Sequence, residues 1–158
     1  ERAGLDLKGG FETTMLRSIK VQKLINRDVE TVDIAASLQE LRKKLQFSET
    51  GELFVLDKSD KLFGTVTLAD LSEVAFDHDV NNLINAGDVA RLNPPFLIVA
   101  DNLETANKVI NDSGEHFIAV VESYETMEFV GALYETEVMS AYNKALVKVR
   151  HEEHEGVV

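Results

Sequence analysis

Residues 62–71 read LFGTVTLADL and residues 129–138 read FVGALYETEV, and laying one on the other decides the fold. Gly64 falls on Gly131, Thr67 on Tyr134 and Asp70 on Glu137. In the first copy a strand over 62–67 gives way to helical spacing through Leu71, Val74 and Ala75, so strand runs directly into helix. Working outward, SGEHFIAVV at 113–121 echoes TGELFVLD at 50–57, with Gly51 on Gly114 and Phe54 on Phe117. Further upstream, Leu38, Leu41 and Leu45 match Leu103, Ala106 and Ile110 at a constant offset and lie at helical spacing. Asp33 caps the first of these helices, and Arg42, Lys43 and Lys44 sit at the end of its dipole that favours cations. Asp101 or Asn102 caps the second.

The unit is strand, helix, strand, strand, helix, and it occurs twice. A single unit leaves one sheet face and one helix face uncovered, so the two copies are expected to pack on each other. The fold class is therefore α+β: two repeated β-α-β-β-α units with pseudo-twofold symmetry. The expected organisation is a linker at 1–17, repeat 1 at 18–79, repeat 2 at 80–147 and a polar tail at 148–158. The linker carries three glycines and becomes structured near Met15 and Leu16.

Composition narrows the function. The 158-residue chain has no cysteine, which removes disulfides, thiol catalysis and cysteine-held metals. A net charge of -12 disfavours nucleic acid and anionic membrane surfaces as partners. The longest apolar run, Phe96 to Ala100, is far short of the ~20 residues that span a bilayer. The chain starts at Glu1 without a signal-peptide pattern and reads as a piece of a longer polypeptide.

The ordered repeat, closed by glycine, two residues, threonine, two residues, aspartate at Gly64, Thr67 and Asp70, resembles a tandem pair of cystathionine beta-synthase (CBS) domains, a Bateman module. The resemblance covers roughly Ser18 to Leu146. RAGLDLKGG followed by MLRSIKVQKLI is similar to the stretch joining the last transmembrane helix to the cytoplasmic CBS pair in bacterial CLC-type chloride channels and exchangers; Arg2, Gly4, Asp6, Leu7, Leu16 and Ser18 carry that match. It implies a regulatory, dimerising module without catalysis of its own. Such a module sits at the cytoplasmic face of the inner (plasma) membrane, joined to an upstream transmembrane channel domain. Helices over 68–76 and 135–146 would form the homodimer surface. The alternatives are a ligand-free dimerisation module, or the CBS pair of another transporter such as a magnesium or cobalt efflux protein.

The resemblance also implies a ligand, AMP, ADP or ATP, with no cofactor required. In CBS domains the motif aspartate accepts hydrogen bonds from the ribose hydroxyls and the threonine lies near ribose or phosphate, roles that Asp70 and Thr67 match. A helix N-terminus beside them favours an anion. The adenine is then expected near Asn93 to Phe96, with Pro95 and Phe96, and against Phe117 and Ile118 of the other repeat. The second site is degenerate: Gly131 is kept, but Tyr134 is bulky and Glu137 is one methylene longer than aspartate. In eukaryotic CLC relatives the nucleotide is held through the second repeat's aspartate. An acidic protein must also gather Lys or Arg locally to hold phosphate.

Thr67 and Asp70 equally fit a capped helix start, with Thr67 accepting the Asp70 N–H and the carboxylate favouring the first turn. The remaining constellations favour structural readings. HEEHEG at 151–156 lacks metalloprotease spacing and reads as a solvated tail, with no metal implied. His116 is a structural strand histidine, His78 a loop residue, and Asp77 and Asp79 point apart, so no acid–base pair forms.

Overall fold

The computed structural model describes residue 10, residues 12–72 and residues 83–157, the side chains of 152–157 excepted. A helix over 12–18 (α1) leads into a single 3-10 turn at Val21–Leu24. Repeat 1 follows as β1 (Thr31–Asp33), α2 (Leu38–Gln46), β2 (Glu52–Leu56), β3 (Leu62–Thr67) and α3 (Leu68–Ser72). A short helix α4 (Ala86–Val89) and strand β4 (Arg91–Leu92) connect to repeat 2. That repeat comprises β5 (Phe96–Ile98), α5 (Leu103–Ser113), β6 (Phe117–Val121), β7 (Phe129–Tyr134) and α6 (Glu135–Val157). The expected α+β order is present in both halves. Residues 73–76 of the expected first dimer helix, and Asp77, His78 and Asp79, lie outside the described residues, as do Arg2, Gly4, Asp6 and Leu7.

Local chemistry fixes the elements. Ser37, not Asp33, is the N-cap of α2 and accepts the Glu40 N–H at 3.2 Å; Asp33 Oδ1 instead accepts the Ala35 N–H, shaping the turn before it. Asn102 caps α5 through the Thr105 N–H at 3.0 Å. Gly114 ends α5 at φ 70, the left-handed conformation glycine adopts without penalty. On each central strand successive residues divide between two faces. Leu53 and Val55 of β2 pack beneath α2 with Leu38, Leu41 and Leu45, and Ile118 and Val120 of β6 pack beneath α5 with Leu103, Ala106 and Ile110. Phe54, Ala119 and Ala132 form a third core layer, flanked by Phe96, Phe117, Phe129 and Tyr134, that joins the sheets. Full burial of each leucine stabilises by about 1.5–3 kcal/mol.

The two repeats are interlocked. In repeat 1, β1 pairs parallel to β2 and β2 antiparallel to β3; β4, which precedes β5 of repeat 2, is added beyond β3. Repeat 2 has the order β5-β6-β7, and Asn26, which precedes β1, bridges Ala132 of β7 with N···O distances of 2.9 and 3.0 Å. The same exchange recurs at the helix starts, where Ser37 bridges Asn85 and Asn102 bridges Lys20. Gly64 and Gly131 make the crossings fit: a Cβ on Gly64 would lie 2.4 Å from the Arg91 carbonyl oxygen, and one on Gly131 would lie 2.4 Å from that of Asn26.

At its far end α6 continues beyond residue 147 through Val157, with Val149 fully buried, so helix occupies the stretch read as a polar tail. Outside the core, Leu68 of α3 is 52% exposed, and Met139 and Val147 of α6 are 37% and 65% exposed. No helix among the described residues is long and apolar enough to cross a membrane.

Candidate nucleotide cleft

Asp70 lies in the first turn of α3, immediately after β3, and its carboxylate is fixed from three directions. Oδ2 accepts the Thr67 backbone N–H at 2.9 Å and the Thr67 hydroxyl at 3.1 Å; Oδ1 accepts Arg91 Nε at 2.9 Å. This reverses the expected cap, since Asp70 accepts from Thr67 rather than donating its N–H to it. Thr67 and Asp70 are brought together, and Arg91 joins them from β4 across the repeat exchange. The guanidinium is held above its usual pKa, first by its hydrogen bond to Asp70 and then by that carboxylate's charge.

Arg91 connects this cluster to a cleft between the repeats with a volume of ≈ 180 Å³, lined by Glu52, Phe54, Thr65, Leu92, Asn93, Pro94, Pro95, Glu115 and Phe117. Pro95 and Phe117 line it as expected; Thr67 and Asp70 stand behind Arg91 at its edge. Gly64 is buried and serves the crossing. Ile118 must be removed from the site: it is fully buried beneath α5, on the face of β6 opposite Phe117. Phe96 sits in the inter-sheet layer, its ring edge-on to Tyr124 at 5.8 Å, so it backs the cleft without lining it.

The cleft carries groups that sequence reasoning missed. Arg91, Glu52, Glu115 and Thr65 belong to no motif. Pairing of β4 with β3 delivers Arg91, and the position where each hairpin begins delivers Glu52 and Glu115. Burial pushes the Glu52 carboxyl up to about 7; the charges of Glu115 and Asp70 add to the rise, while Arg91 and the Thr65 hydrogen bond oppose it.

The pseudo-equivalent cleft on the other side has a volume of only ≈ 50 Å³ and is lined by Asp28, Val29, Glu30, Glu49, Thr50, Glu52, Phe54, Phe117 and Tyr134. Tyr134 fills the place of Thr67, its ring packed edge-on against Phe117 with centroids 5.0 Å apart. Burial, then the charge of Glu137, raises its phenol above the ordinary value. Glu137 is exposed, and among the described residues it accepts no hydrogen bond of the kind that fixes Asp70. With four carboxylates and no cation in its lining, this cleft repels anions. Of the histidines, His116 pairs with Glu135 at 2.7 Å on the surface. Among the described residues no group of histidines and carboxylates could hold a metal ion.

Residues 21–77 match the family model of the CBS domain. No curated protein matches the chain. Among solved structures, a CBS domain pair/ACT domain protein from Thermotoga maritima is 26% identical, with a TM-score of 0.66 over 81% of this chain and 99% of its own. CBSX2 in complex with AMP is 21% identical, with a TM-score of 0.65 over 80% and 97%. The CBS domain of a bacterial CNNM/CorC family Mg2+ transporter in complex with ATP is 14% identical, with a TM-score of 0.66 over 81% and 89%. With the CBS model matched over repeat 1 and the duplicated, interlocked architecture shared across both halves, the chain is a tandem CBS domain pair.

Proposed function

We propose that this CBS pair is a regulatory module that binds an adenosine nucleotide in the cleft beside Asp70 and passes the binding energy to an attached membrane transporter. The observation that carries the reading is the Thr67–Asp70–Arg91 cluster at the edge of the cleft between repeats. Asp70 Oδ1 retains one lone pair for a ribose hydroxyl, Arg91 supplies the cation an acidic chain needs for phosphate, and Pro95 and Phe117 offer apolar surface to a base. That CBSX2 holds AMP and the CNNM/CorC domain holds ATP supports the ligand class. The module performs no chemistry of its own; it shifts populations, because a ligand touching both repeats favours the packing in which the cleft fits it.

For the parent we favour a CLC-type chloride channel or chloride/proton antiporter, with the module on the cytoplasmic face of the plasma membrane. The incoming segment is firmly attached to the module, which supports transmission: Leu16 is buried against repeat 2 and Arg17 pairs with Glu104 at 2.6 Å. The exposed Leu68, Met139 and Val147 on α3 and α6 support a homodimer through those helices.

Calorimetric titration of the 158-residue chain with AMP and ATP tests the ligand. The expected result is micromolar binding of an adenosine nucleotide, lost in Asp70→Ala and weakened in Arg91→Ala. Heat-silent titration to millimolar nucleotide, confirmed by an unchanged melting temperature, refutes it. Sedimentation equilibrium tests the dimer, which Met139→Asp should dissociate.

A further inference from the structure

The charges around the cleft say more than that it takes a nucleotide. Its lining holds one cation, Arg91, already paired with Asp70, beside the two carboxylates Glu52 and Glu115. Glu52 also faces the second cleft, where Asp28, Glu30 and Glu49 add negative charge and Tyr134 adds none at neutral pH. A single phosphate can rest on Arg91. Each further phosphate adds negative charge within a Debye length of these carboxylates, and among the described lining residues no second cation compensates it.

Resting on the nucleotide reading above, we infer that the cleft selects by phosphate number, taking adenosine monophosphate and rejecting ATP through Glu52 and Glu115. This is a specificity built by repulsion rather than by contact. The two glutamates are pseudo-equivalent, Glu52 opening β2 and Glu115 lying two residues before β6, and both line this cleft.

The selectivity is also proton-linked. Glu52 is faced by Thr65 from β3, Arg91 from β4, Asp70 from α3 and Glu115 from the approach to β6. With the Glu52 carboxyl titrating at about 7, one repelling charge is present at pH 8 and largely gone at pH 6. ATP is therefore rejected more strongly at the higher pH.

The test is titration of the 158-residue chain with AMP, ADP and ATP, without divalent cations and at fixed ionic strength, at pH 6 and pH 8. The expected order at pH 8 is AMP, then ADP, then ATP, with ATP on the order of tenfold weaker than AMP and the gap narrowing at pH 6. Glu52→Gln and, separately, Glu115→Gln should each tighten ATP more than AMP, and Glu52→Gln should flatten the pH dependence of their ratio. ATP binding as tightly as AMP to the parent chain overturns the inference, as does a ratio that neither substitution moves. Failure of all three nucleotides to bind instead refutes the nucleotide reading, and the inference with it.

Discussion

Glu52→Gln isolates the energetic cost of placing a carboxylate in the inter-repeat cleft. The folded protein raises this carboxyl from 4.5 to about 7, so it holds its proton more tightly folded than unfolded. The sign follows: Glu52 costs no stability below about pH 4.5, an increasing amount as pH rises toward 7, and its full penalty above that. At about 1.4 kcal/mol per pKa unit, a fully buried group would lose about 3 kcal/mol. Glu52 is only half-buried and water screens it, so we discount the penalty to about 1–2 kcal/mol. Glutamine has the shape of the protonated acid and can still accept the Thr65 hydroxyl. The variant should match the parent at pH 4.5 and exceed it by about 1–2 kcal/mol at pH 8, or about 2–8 °C in melting temperature for a chain of this size. Urea and thermal unfolding of both proteins, followed by circular dichroism at pH 4.5, 6 and 8, measures this. Equal stability at pH 8, or a difference independent of pH, refutes the assignment of the raised carboxyl to Glu52.

Gly64→Ala and Gly131→Ala should each destabilise by about 1–3 kcal/mol in urea melts, because the new methyl meets a backbone carbonyl that cannot step aside. In the absence of nucleotide, Asp70→Ala should cost about 1 kcal/mol through loss of the Thr67 anchor, while Arg91→Ala, whose guanidinium is exposed, should lower the melting temperature less, because Asp70 keeps both bonds from Thr67. A melting temperature that falls as far in Arg91→Ala as in Asp70→Ala would show that the ion pair, not the turn, holds α3. Val149→Ala should lower stability by about 1–2 kcal/mol, as expected of a buried residue and not of a solvated tail.

Most of the fold was legible because its long elements bury one face at regular spacing. Leu38, Leu41 and Leu45, and their counterparts Leu103, Ala106 and Ile110, announce α2 and α5 before any contact is known. The connecting pieces were not legible. The turn at Val21–Leu24, α4 and β4 are two to four residues each, too short to show a period, and are held by partners remote in the chain. The run of α6 past residue 147 was hidden by its many glutamates and histidines, which read as solvated.

At the site, the motif located Thr67 and Asp70 but not Arg91, which is 21 residues from Asp70 and meets it only through strand exchange. The error at Ile118 could have been avoided from sequence. Neighbours in a strand face opposite ways, so Phe117 and Ile118 cannot both line one cleft. Nothing in the sequence marked Glu52 and Glu115 as more than surface carboxylates, since their cost arises only where the two repeats meet.

The exchanged segments have a mechanical consequence. The incoming chain, through Leu16, Val21 and Asn26, is fastened to repeat 2 before it enters β1 of repeat 1. A pull on the amino-terminal side is therefore felt first by the half of the molecule that lies farther along the chain. It reaches repeat 1 through the inter-sheet layer of Phe54, Ala119 and Ala132 and through the cleft, where Arg91 is clasped to Asp70. A ligand wedged there would stiffen one of the joints through which the two halves exchange load.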